Sequence, residues 1–418
     1  MKQGKMMRKI TTAMSLVAMM ALGAQAASLE ERVKALEEQN TVLTEEVLAS
    51  QSGGFTLVDT EKSYYGMGAA ASKVYFSKNP LSIGGYGEMF YANPDNGDDF
   101  ADIYRFITYF GYKFNDWVIL NAEIEFEHGA NSDNGGSVVV EFLYLDFLLS
   151  NKFSIRAGHV LAPMGLTNLR HEPTLFNTVQ RPEIERQLIP STWHENGVLA
   201  YGRFDEIGIE YTAGMINALN VNNSKTTEPT TGWIRSGRWG SSKNAPFNPA
   251  FVGRVDYTGV NGLVAGASMY YGDGSNLDND PAAEVDGLTT TMFDIHARYE
   301  NGPFAAYGLY TQTTLDGAED LDIDAVEKAS GYYGNISYDI GGLVGIEYKM
   351  PVFVQYENYN PVEKTVDGLN ESDFETETVT IGFNFFPTNQ TVIKVDYEMD
   401  DVNGDETNTV SVGLGFIF

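Results

Sequence analysis

The chain has 418 residues, a formal net charge of −30 at pH 7, 43 Gly, 24 Tyr, 24 Phe and no Cys. That acidity excludes nucleic-acid binding driven by charge, and no compact basic run offers an exception. A disulfide-stapled secreted fold is excluded too, and no stretch of about 18 apolar residues offers a transmembrane helix.

Residues 1–26 begin MKQGKMMRKI, basic and without an acid, run through TTAMSLVAMMALG, and reach the small-x-small AQA at 24–26. That order predicts a secretory signal peptide cleaved after Ala26, hence an exported chain. Within 27–50, Leu29, Val33, Leu36, Asn40, Leu43 and Val47 recur at alternating spacings of four and three between Glu-rich flanks. This is a coiled-coil seam, with Asn40 at an a position where a buried amide sets register and strand number. The expectation is a short periplasmic α-helical coiled coil that drives self-association; a single amphipathic helix lying on the rest of the protein is the alternative. Residues 51–79, entered through ASQSGG (49–54), read as a linker.

From 80 to 418 the period changes to two. In NAEIEFE (121–127) Ala122, Ile124 and Phe126 oppose Glu123, Glu125 and Glu127. In MFDIHARYE (292–300) Phe293, Ile295, Ala297 and Tyr299 oppose Asp294, His296, Arg298 and Glu300. In TVIKVDYEM (391–399) Ile393, Val395 and Tyr397 oppose Lys394, Asp396 and Glu398. Segments of about ten alternating residues in an exported chain predict an all-β protein, a transmembrane antiparallel up-and-down β-barrel. Short turns at 114–116, 150–152, 203–206, 259–262, 301–303, 340–342 and 386–389 alternate with longer polar segments near 92–101, 129–136, 160–193, 219–247, 272–289, 312–330, 358–373 and 400–407. Such a pattern predicts about 16 strands, enough for a water-filled lumen. The last strand, TVSVGLGFIF, sets Val410, Val412, Leu414, Phe416 and Phe418 on one face and closes against PLSIGGYGEMFYA. Its terminal aromatic resembles the C-terminal signal of bacterial outer-membrane barrels. An outer-membrane location would place lipid and lipopolysaccharide against the outer face.

The positive charge is segregated. Between Arg156 and Arg254 ten Lys/Arg meet eight Asp/Glu, whereas the rest of the chain carries 17 bases and 49 acids. Strand phase turns Arg156, Arg254 and Arg298 inward, since a lipid-facing arginine near the midplane costs about 2–4 kcal/mol. The loop at about 160–193 has many apolar residues (Leu161, Leu166, Leu175, Phe176, Ile184, Leu188, Ile189), more than a loop in water needs. Folded into the lumen it would bring Arg170, Arg181 and Arg186 to a constriction, where guanidinium groups suit carboxylate or phosphate. The structural alternative is that these arginines pair with Glu172, Glu183 and Glu185 and hold the loop to the wall.

The stretch RAGHVLAPMGLTNLRHEPTLFNTVQRPEIERQLIPSTWHENGV, with Gly158, Pro163 and Gly165 as a strand leads into the loop, resembles the phosphate-selective porin O/P family. The N-terminal coil looks more like that of the DcaP-like trimeric porins. The resemblance implies sixteen strands, a homotrimer, and passive diffusion of small anions past inward arginines. The solutes expected are phosphate-like oxyanions or small organic carboxylates, because the loops lack clustered lysines and those at 272–289 and 312–330 are acidic.

Chemistry of other kinds has weak support. His128, His159, His171, His194 and His296 show no zinc-type spacing, and His171–Glu172 and His194–Glu195 read as loop packing. No catalytic constellation stands out, so no enzyme is expected, and no cofactor. The acidic loops at 93–99, 273–280 and 318–324 supply oxygens that can hold Ca²⁺ but match no EF-hand. A second function class stays open: an envelope-organising barrel whose coil tethers the outer membrane.

Overall fold

The computed structural model describes residues 57–130, 135–240, 248–274, 285, 287–369 and 371–418. The expected signal peptide (1–26) and coiled coil (27–50) lie outside the described residues, as does most of the acidic loop at 273–280.

Sixteen strands follow in order: β1 Leu81–Pro94, β2 Phe100–Lys113, β3 Val118–Glu127, β4 Ser137–Ser150, β5 Phe153–Leu161, β6 His194–Phe204, β7 Ile209–Asn217, β8 Pro249–Tyr257, β9 Leu263–Asp273, β10 Thr289–Asn301, β11 Phe304–Asp316, β12 Val326–Asp339, β13 Pro351–Thr365, β14 Thr376–Thr388, β15 Thr391–Val402 and β16 Asp405–Ile417. Each pairs antiparallel with its sequence neighbours, and β1 pairs β16 from Tyr86↔Ile417 to Pro94↔Thr409, which closes the barrel. Closure leaves no sheet edge for lipid to face.

The period-2 pattern decides which face meets what. Phe153, Val255, Ile295, Val410, Val412 and Leu414 are exposed on the outer face, while Arg156, Arg254, Asp294, His296 and Ser411 are buried on the inner one. No described helix is long and apolar enough to span a membrane. The outer face of the strands is apolar, as lipid requires.

Two connections differ from expectation. The polar segment at 400–407 is a two-residue turn at Asn403 (φ 50°) and Gly404 (φ 92°). An Asn-Gly pair takes positive φ readily and matches strand twist, so β15 and β16 continue through residues whose polarity suggested a loop. The turn expected at 340–342 is instead an eleven-residue connection between β12 and β13 carrying a helical turn, Gly341–Val344. Asp339 Oδ1 organises it by accepting the N–H groups of Gly341 (3.0 Å) and Met350 (2.8 Å).

The core lies inside the lumen and three segments fill it. Helix α1 (Ala69–Phe76), within the stretch read as a linker, packs against the inner faces of β1, β2 and β3. The loop between β5 and β6, L3 (162–193), carries the short helix α2 (Glu183–Gln187) and is almost wholly buried. The loop between β7 and β8, L4 (218–248), carries α3 (Ser224–Thr227) and α4 (Trp233–Ser236). Trp233 is fully buried, and its indole N–H donates to the Pro361 carbonyl (2.7 Å).

Candidate functional site

L3 crosses the lumen because wall residues grip its backbone. Gly165 N–H donates to Asp294 of β10 (3.0 Å), and Ile184 N–H to Glu357 of β13 (3.0 Å). Val179 N–H donates to Asp396 of β15 (2.6 Å), and Lys394 gives hydrogen bonds to the Phe176 and Thr178 carbonyls (2.9 Å each). Asn168 staples the loop stem, donating to the Ala162 and Trp193 carbonyls (2.7 and 3.0 Å) and accepting the Trp193 N–H (2.6 Å). These bonds satisfy backbone groups that burial would otherwise leave unpaired. Gly165 is needed for its conformation: φ is +67°, and a Cβ there would sit 2.6 Å from Glu185 Oε2. The apolar residues that marked L3 are those it buries, with Ile184, Leu188 and Ile189 all at or below 1% exposure.

Helix α1 docks against L3. Glu172 Oε1 accepts the N–H groups of Ala70 (2.9 Å) and Ala71 (3.0 Å) at its first turn, which satisfies orphan donors and suits the helix dipole. The helix also touches the wall, where Asn121 donates to the Ala71 carbonyl (2.9 Å) and Tyr75 donates to Asp146.

The six arginines expected at a constriction fall into three settings. Arg156 is buried beside α1: its guanidinium makes a two-point bond to Asp146 (2.9 and 3.0 Å) and lies over the Tyr144 ring at 4.2 Å. A second group forms where L3 meets β8 and β10. Arg254 is held by Asp256 (2.6 Å), contacts His296 (2.8 Å) and donates to the Gly165 carbonyl; Arg298 pairs with Glu300 (2.5 Å). Arg170 of L3 lies within electrostatic reach of both, and of Glu300 and Glu172, yet makes no hydrogen bond or ion pair through its guanidinium among the described residues. Burial, and then the charge of Arg298, push the Arg170 guanidinium below its ordinary range.

The third group gathers on the opposite flank of L3. Arg181 is buried, 3.5 Å from the Tyr86 hydroxyl and 3.9 Å from Glu88. Arg186 is half-buried and donates to Glu183 (2.7 Å) and Gln180 (3.0 Å). Three further cations join them. Arg105 of β2 is buried against Glu88 (2.8 Å). Arg235 and Arg238 of L4 have no carboxylate partner among the described residues and donate to L3 carbonyls instead: Arg235 to Ser191, Arg238 to Pro190 (3.0 Å) and Thr192 (2.7 Å). Burial lowers both from the usual arginine range, and for Arg238 the neighbouring charge of Arg235 adds to it. Strand phase alone would have turned Arg105 inward, since Phe106 and Phe110 are exposed on the outer face. Arg235 and Arg238 carried no such signal, because nothing in a polar loop says which lumenal surface it covers.

Chemically, the lumen therefore holds two arginine clusters on the flanks of one infolded loop. The cations at the loop surfaces, Arg170, Arg235 and Arg238, are less fully neutralised than those on the strands.

No protein-family model matches the chain. An uncharacterized protein of Aquifex aeolicus (strain VF5) is 32% identical over 369 residues, covering 84% of this chain and 82% of that protein. The chain belongs to the same family as that protein. Its barrel resembles that of the anion-selective porin from Comamonas acidovorans (TM-score 0.54, 16% identity, 81% of this chain and 99% of that one). The outer membrane channel DcaP of Acinetobacter baumannii is similar as well (TM-score 0.50, 13% identity, 81% and 97% coverage). The fold is that of the outer-membrane porins, a closed 16-stranded barrel.

Proposed function

We propose that the protein is an outer-membrane porin that passes small anionic solutes by passive diffusion, past arginines carried on L3 and L4. The observation that carries this reading is Arg170: a loop guanidinium inside the barrel, near Arg298 and Arg254, with no acid bound to it among the described residues. A cation so placed repels cations and stabilises an anion in transit, and low local dielectric strengthens both effects. Phosphate-like oxyanions and small carboxylates fit planar paired donors. The anion selectivity in the name of the Comamonas protein is that protein's own; the arginines support it here.

Arg156 and Arg254 serve the path indirectly. Each is tied to a wall carboxylate, Arg156 facing α1 and Arg254 holding L3 at Gly165. The experiment is ion permeability of the purified protein in planar bilayers, compared with Arg170→Ala. Removing a unit charge about 5 Å from an ion's path changes its energy by roughly 0.8 kcal/mol even at the dielectric constant of water, about fourfold against anions and about fourfold in favour of cations, so the anion/cation ratio should fall about sixteenfold. An unchanged ratio would assign Arg170 to holding the loop. No conductance at all would favour the envelope-organising alternative.

A further inference from the structure

At the junction of L3 with β3 and β4, Glu123, Glu141 and His171 converge. All three are buried, the two carboxylates completely. His171 Nε2 lies 3.3 Å from Glu123 Oε1 and 3.5 Å from Glu141 Oε2, and one ligand atom from each residue falls within 4.8 Å of the others. The second oxygen of Glu123 and the Oε2 of Glu141 have no hydrogen-bond partner among the described residues.

The tautomer of His171 sharpens the problem. Its Nδ1 is 2.9 Å from the Asn168 carbonyl, which can only accept, so Nδ1 carries the proton. In the neutral ring Nε2 then presents a lone pair to two carboxylates. Three sets of electron pairs face one another in a buried space, an arrangement that a bound cation or a shared proton satisfies. The Nδ1–H bond to a backbone carbonyl is also the outer contact that fixes the orientation of a metal-binding imidazole. Glu141 is oriented as well, its other oxygen accepting from the Thr192 hydroxyl.

Arg105 and Arg181 border the cluster, 3.4 Å from Glu125 and 3.9 Å from Glu88. Ligands about 2.0–2.1 Å from a tetrahedral ion stand roughly 3.3 Å apart, close to the 3.3 and 3.5 Å from His171 Nε2 to the two carboxylates.

We propose that Glu123, Glu141 and His171 bind a divalent transition-metal ion that clamps L3 to the barrel wall. One imidazole with two carboxylates suits Zn²⁺ or a neighbouring first-row ion better than Ca²⁺. Two ligands come from the wall and one from the loop, so the ion closes a link between elements distant in sequence, and its role is structural. This clamp is independent of which solute the lumen passes.

The test is zinc content by elemental analysis of the folded full-length protein, loaded with Zn²⁺ and dialysed, with folding checked by electrophoretic mobility before and after heating. Wild type should retain about one zinc per chain, and His171→Gln and Glu141→Gln should retain less than a tenth of that. X-ray absorption of zinc-loaded wild type should show one imidazole with carboxylate oxygens, a reading that stands even if a variant fails to fold. Folded wild type retaining under a tenth of an equivalent would overturn the site. So would equal zinc in His171→Gln, or a shell of two imidazoles, which would move the ion to His159 and His194, whose ring nitrogens Nε2 and Nδ1 lie 2.7 Å apart.

Discussion

At the scale of single residues, the lumenal arginines differ in what neutralises them. Arg156 and Asp146 satisfy each other with two hydrogen bonds in a buried site, and Tyr144 and Tyr201 flank the guanidinium. Arg156→Ala strands a buried carboxylate and should destabilise the barrel by about 3–5 kcal/mol. An apolar double replacement, Arg156→Met with Asp146→Leu, should recover most of that loss, because it removes both charges together. Urea midpoints of the folded, heat-modifiable form measure both, and equal destabilisation of the two variants would mean the pair is not isolated. Arg156→Ala should change ion selectivity less than Arg170→Ala does. Strand alternation was enough to place Arg156, Arg254 and Arg298 inward, since a side chain on a barrel strand faces either lipid or lumen. It said less of their partners: Asp256 and Glu300 are same-face neighbours two residues away on the same strand, whereas Asp146 meets Arg156 only through the β4–β5 register, which period-2 patterning does not encode.

At the scale of elements, L3 and α1 depend on packing in the lumen. Gly111 of β2 faces Val74 of α1 so closely that a Cβ there would come within 2.4 Å of the valine side chain. Gly111→Val should expel α1 while leaving the strand ladder intact, at about 1–3 kcal/mol, the usual effect of overpacking. Protease should then cut between 57 and 79 in the variant and not in wild type; resistance in both would mean the contact is slack. L3 offers a pH test through Glu185, a buried carboxylate that accepts from Thr167 N–H (2.6 Å) and the Tyr333 hydroxyl (2.6 Å). Burial raises its pKa above the ordinary value of 4.5. The folded state then holds a proton that the unfolded chain has shed, so stability from this group is full below pH 4.5 and lost as pH rises through the folded pKa. Glu185→Gln should accordingly be more destabilising at pH 4 than at pH 8, and the reverse order in denaturant midpoints would contradict the shift. The infolding of L3 was readable from its apolar residues, whereas α1 was hidden. AAASKVYF has no strong amphipathic stripe, because it buries small residues on one side and inserts Val74 against a glycine on another.

At the scale of the whole molecule, the charge of −30 and the lumenal arginines are compatible because acid and base have separate uses. Asp294, Glu357 and Asp396 on the inner wall bind backbone N–H groups of L3 and do not face the path freely. Strand number and closure were legible, since alternation and turn residues repeat sixteen times and errors average out. Individual connections were not: Asn403–Gly404 looked like a loop from its polarity although its backbone preference makes a tight turn. The central claim is that the local sign inside the barrel, and not the net charge, sets what passes. Its most direct test is the reversal potential of the purified wild-type protein in a planar bilayer across a tenfold KCl gradient, repeated for Arg170→Ala/Arg298→Ala. Wild type should show a chloride-preferring potential that moves toward zero in the double variant. A potassium-preferring wild type would contradict it.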